Sequence, residues 1–75
     1  MNSRDKLLEK ARRGMISYKD FQILLQQQGW SKIRSHGSHA IWRSPYGYRL
    51  PTQPDRSGMA KAYQVDQFFQ ALEKE

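Results

Sequence analysis

His36 and His39 are the only two histidines of the chain, and they flank the dipeptide Gly37-Ser38. The run is Ser35-His36-Gly37-Ser38-His39-Ala40-Ile41-Trp42-Arg43, in the most basic part of the sequence, and there is no cysteine. An imidazole among cations suits cleavage of a polyanion. RNA brings its own nucleophile, the 2′-hydroxyl, and needs only a base to take its proton. Imidazole titrates near pH ~6.5, close to the working pH, where general-base catalysis is most efficient. Cations nearby stabilise the charge growing on the phosphoryl oxygens. His39 is the candidate base. The leaving 5′-oxygen needs a proton in turn. A tight turn across 36–39 keeps the two α-carbons within ~7 Å, so His36 is a candidate auxiliary acid beside water or a cationic side chain. A zinc site on the two imidazoles lacks further ligands, so no metal is expected. Ser38 as nucleophile would need a base oriented by a third group, and no such triad is visible. A turn or phosphate contact suits it better.

Charge placement supports the same chemistry. The chain carries a net +6. Residues 30–61 hold Lys32, Arg34, Arg43, Arg49, Arg56 and Lys61 against Asp55 alone. Trp30, Trp42, Tyr46 and Tyr48 interleave with them, the footprint of a nucleic-acid binder. Lys32, Arg34, Arg43 and Arg49 are the candidate phosphate contacts, and Lys61 lies near an expected helix N-terminus, which also favours phosphate. A solvated basic face, or one that docks an acidic protein, would carry the same charges.

These residues need elements to hold them. Residues 3–13 read as a helix capped by Ser3, with Leu7, Leu8 and Ala11 on one side and Gly14 at its end. Ser17-Tyr18-Lys19-Asp20 resembles a capping box, and Phe21, Leu24 and Leu25 form the stripe of a second helix that stops at Gly29. Strands are expected over Trp30–Arg34, His39–Ser44 and Tyr48–Thr52, joined by a turn at Gly37 and by Pro45-Tyr46-Gly47. Val65, Phe68, Phe69 and Leu72 recur with helical spacing and are expected in the core. Trp30 and Trp42 read as core or half-buried sheet residues, and pleating forbids Ile41 and Trp42 from both pointing inward. The expected fold is α+β, order α-α-β-β-β-α: a three-stranded antiparallel sheet with helices on one face.

Seventy-five residues make one domain. A chain this short buries only ~60–65% of its unfolded surface and leaves no room for a large internal pocket. Without cysteine there is no disulfide scaffold. No apolar run approaches the ~18 residues of a membrane span, and the polar N-terminus is not that of a signal peptide. A cytoplasmic protein, with no membrane attachment, is expected.

Taken together, Gly29-Trp30, Gly37-Ser38-His39 and Ile41-Trp42-Arg43-Ser44-Pro45 resemble the HicA family of bacterial toxins, which are mRNA interferases. Gln53-Pro54-Asp55-Arg56-Ser57-Gly58 and Ala60-Lys61-Ala62-Tyr63-Gln64-Val65 resemble one subgroup of it. The likeness covers about residues 18–72, so residues 1–16 read as an N-terminal helical extension of a single 1–75 domain. The resemblance implies a double-stranded-RNA-binding-domain-like fold and a metal-independent, cofactor-free endoribonuclease acting on mRNA through His39. It also implies a HicB-type antitoxin that covers His39. Gly37 and Ser38 join the RNA-binding set. Many relatives carry a second histidine directly after the first; this chain has Ala40 there, and Ala62 where relatives often have proline. The rival expectation is a non-catalytic RNA-binding module using the same basic sheet.

Overall fold

Local chemistry sets each boundary in the computed structural model, which describes residues 2–74. Helix α1 spans Ser3–Arg12, and Asn2 caps it rather than Ser3: the Asp5 N–H donates to Asn2 Oδ1 at 2.9 Å. Asn and Ser are near-equal caps, so residue type alone does not favour Ser3 over its neighbour. Helix α2 spans Tyr18–Gln27 and has the expected Ser17 cap, whose hydroxyl accepts from the Asp20 N–H at 3.0 Å. Gly29 then turns the chain at φ +87°, and a Cβ there would meet Pro45 Cγ at 3.1 Å. This glycine serves both the turn and the close approach.

Strands β1 (Ser31–His36), β2 (His39–Arg43) and β3 (Arg49–Thr52) form one antiparallel sheet in the order β1-β2-β3, and helix α3 spans Ala62–Lys74. The α-α-β-β-β-α order and the fold class are those the sequence leads one to expect. β1 begins after Trp30 and runs to His36, two residues beyond the expected end. Ser44 and Tyr48 fall outside the strands. The buried Ser44 hydroxyl accepts from the N–H groups of Tyr46 (3.3 Å) and Tyr48 (3.0 Å), and so is committed to the turn between β2 and β3.

One face of the sheet packs on the helices. Ala40, Trp42, Leu50 and Thr52 point inward and are buried, while His39, Ile41, Arg43, Arg49 and Pro51 alternate to the other side. Against the inner face lie Phe21, Leu24 and Leu25 of α2, and Val65, Phe68 and Ala71 of α3. Phe68 is the aromatic centre, edge-on to Phe21 at 5.7 Å and tilted against Trp30 at 5.9 Å. Phe69 and Leu72 are only half-buried; Gln64 and Ala71 take the inner positions, so the apolar stripe of α3 is rotated from the expected one. The buried Gln64 uses its Oε1 to accept from the Gln53 N–H at 3.2 Å, tying α3 to the end of β3. Leu7 and Ala11 of α1 join this same core. Trp30 and Trp42 are buried, and neither indole N–H finds an acceptor among the described residues, so no hydrogen bond holds either ring. No described helix is long and apolar enough to cross a membrane.

Removing the central indole tests this packing. Trp42→Ala lowers the unfolding free energy by about 3–5 kcal/mol, read from the urea midpoint. An unchanged midpoint would remove Trp42 from the centre of the core.

Candidate nucleic-acid interface

The turn between β1 and β2 is as short as a hairpin allows. Gly37 adopts φ +60°, and Ser38 does not take a positive φ. This is the φ signature of a type II′ turn, which wants glycine first and matches the twist of the flanking strands. The turn makes His36 and His39 direct cross-strand partners. Directly opposite residues hold their Cβ atoms about 4.5–5.5 Å apart. Both histidines are exposed, and with Arg34, Ser35, Ala40 and Ile41 they line a hollow of about 110 Å³. Such a hollow is smaller than a typical ligand pocket. Larger hollows of about 300 and 480 Å³ lie along α1, and one of about 350 Å³ lies between the β2–β3 turn and α3; none contains a histidine. The imidazoles therefore stand on an open surface.

Register assigns the rest of that surface. Arg34 pairs with Ile41, and Ile41 with Pro51; Ser31 pairs with Arg43, and Arg43 with Arg49. These rows share the helix-free face with the histidine pair. Four residue steps along β2 separate His39 from Arg43, about 14 Å of strand. Arg43 and Arg49 are both exposed and directly opposite each other. Like charges in that position destabilise a sheet.

Lys32 does not join them. Simple alternation would set Lys32 and Arg34 on one face, but the register shifts between them. A bulge there adds one residue and turns Lys32 to the helix side. It pairs with Trp42, and its Nζ sits 5.4 Å from the centre of that indole, a cation–π contact. Lys61, half-buried, lies at the start of α3, off the arginine face. It is nonetheless at the histidine end of the sheet, because Thr52 pairs with Ala40 and Gln53 bonds to Gln64. The first turn of α3 has no acidic residue, so its N-terminal partial charge adds to the cationic end. Gly37 and Ser38 are exposed at the tip.

Among the described residues, no cation of this face is in an ion pair. The sequence has no Asp or Glu from 21 to 54. The ion pairs among the described residues, Lys10–Asp20 and Arg13–Glu9, both belong to the helical part. Aromatic stacking is absent from the face: Trp30 and Trp42 are in the core, Tyr48 is half-buried, and the well-exposed Tyr46 and Tyr63 lie on the β2–β3 turn and on α3. The interleaving of aromatics with charges along the sequence is thus dissolved by pleating and burial. What remains is a platform of guanidiniums and imidazoles, suited to a phosphate backbone rather than to stacked bases. The Arg43–Arg49 pairing was not foreseen. Counting outward from the Pro45-Tyr46-Gly47 turn would have found it.

Comparison with protein-family models, with curated proteins and with solved structures gave no match.

The turn is the feature to test. No atom lies within 4 Å of a Cβ built on Gly37, so substitution there is conformational strain and not a clash. Gly37→Ala costs about 1–2 kcal/mol for the left-handed φ, measured by denaturant unfolding. A neutral substitution would show that the turn does not hold this conformation.

Proposed function

We propose that this chain is a metal-independent endoribonuclease, the toxin of a toxin–antitoxin pair similar to HicA proteins, acting on mRNA in the cytoplasm. The observation that carries the reading is the helix-free sheet face: two paired imidazoles and three guanidiniums, none of them in an ion pair among the described residues. In this reading Arg34, Arg43 and Arg49 grip the phosphates. His39 takes the proton of a 2′-hydroxyl, and the freed oxygen attacks the adjacent phosphorus. The bond from phosphorus to the 5′-oxygen breaks. That oxygen takes a proton from His36, the cross-strand neighbour, or from water. The products end in a 2′,3′-cyclic phosphate and a 5′-hydroxyl. DNA has no 2′-hydroxyl and survives. An antitoxin of the HicB type, acidic where it meets this face, silences the enzyme by covering His39. The double-stranded-RNA-binding-domain likeness implied by the family belongs to this proposal as well.

One observation favours the rival, a non-catalytic RNA-binding module: neither imidazole makes a hydrogen bond among the described residues, so no partner orients it. One assay separates the two. Wild-type protein is incubated with a labelled RNA in EDTA, beside His39→Ala and His36→Ala. Cleavage falls about 10²–10⁴-fold in His39→Ala. Equal cleavage by that variant would end the proposed mechanism, and binding without cleavage by the wild type selects the rival.

Salt dependence tests the arginine face under either reading. Arg43→Gln and Arg49→Gln each make the slope of log K against log salt shallower by about 0.7 for single-stranded RNA. An unchanged slope in both would clear the two arginines of phosphate contact.

A further inference from the structure

The two edges of the sheet are treated differently. β3, at one edge, carries Pro51, which has no N–H to offer a further strand. β1, at the other, has six residues, no proline, and every residue exposed. Its backbone groups that do not bond to β2 have no backbone partner among the described residues, the situation that invites another strand. Lys32, Arg34 and His36 are carried along that edge, and no ion pair among the described residues joins either cation to a carboxylate. A second copy of the chain laid on β1 would set these cations against their equivalents, which is unfavourable. An acidic strand meets the opposite balance. The charges that repel self-pairing are the ones that select it.

We propose that β1 accepts an extended, acidic segment of a partner protein as a fourth strand of the sheet. Main-chain hydrogen bonds supply the binding, and carboxylates on alternate residues supply the selectivity. The bulge between Lys32 and Arg34 confines the flat part of the edge to its His36 end. A strand there runs about 4.8 Å from β1, so its side chains flank His36 and Arg34 and close one side of the imidazole hollow. Only this occluding consequence rests on the ribonuclease reading; the docking itself does not.

The test uses ¹⁵N-labelled full-length protein and a capped octapeptide alternating valine with glutamate. Three control peptides accompany it, one with lysine for glutamate and two N-methylated at alternate residues, one in each phase. The glutamate peptide is expected to slow amide exchange at alternate residues of 31–36. N-methylation on the bonding side, which removes about two backbone donors, weakens binding about tenfold, and the lysine peptide does not compete. The proposal is overturned by no binding, by equal binding of the N-methylated peptide in both phases, by equal binding of the lysine peptide, or by binding without protection in β1. A short RNA that protects the same amides overturns it too. His39→Ala is expected to keep the peptide site. Peptide protection without RNA cleavage leaves this inference standing while removing the enzymatic one, and cleavage without protection does the reverse.

Discussion

Burial of the Trp42 indole decides which way every other side chain of the sheet points. β2 is the central strand, and its pleat admits one set of residues to the core. With Trp42 and Ala40 inside, His39, Ile41 and Arg43 must stand outside. Register then carries that choice across to both neighbours, to His36 and Arg34 on one side and Arg49 on the other. A slip of one residue would bury charges and expose the indole, and the core energy at stake forbids it. The cationic face is thus a by-product of hydrophobic packing on the opposite side.

That packing is economical. Phe21, Phe68 and Trp30 meet as an edge-on and tilted aromatic cluster, an arrangement in which ring quadrupoles attract. Large rings let a small domain bury enough apolar area with few residues. Polar groups drawn into the interior are put to use at joints: Tyr18 Oη meets Thr52 Oγ1 at 2.9 Å, and Thr52 Oγ1 donates to the Ala40 carbonyl at 3.1 Å. Together with Gln64 these bonds fasten the starts of α2 and α3 to the histidine end of the sheet. The hairpin that presents the imidazoles therefore grows from a corner tied by side-chain hydrogen bonds, although β1 itself is exposed along its length.

Much of this was legible in the chain. Helical spacing, glycine punctuation and the Ser17 cap fix the element order, and alternation alone separates Ile41 from Trp42. Three things were not legible, each for a physical reason. The bulge that diverts Lys32 arises from pairing with β2, and nothing local in Lys32-Ile33-Arg34 announces it. The rotated stripe of α3 reflects small or polar residues, Ala71 and Gln64, fitting where a bulky ring does not. The commitment of the buried Ser44 hydroxyl to the β2–β3 turn, which keeps Ser44 and Tyr48 out of the strands, has no marker in the sequence, although the pairing of Arg43 with Arg49 can be counted from that turn.

The face-to-face arginines of β2 and β3 carry an evolutionary consequence. Opposite charges across a sheet gain about 0.2–1 kcal/mol, and like charges lose a similar amount. Replacing either guanidinium by an acid is therefore an easy route to a sturdier protein, and one that cancels the positive charge of the pair. Random improvement of robustness would drift toward that exchange. This chain carries both cations and forgoes that gain.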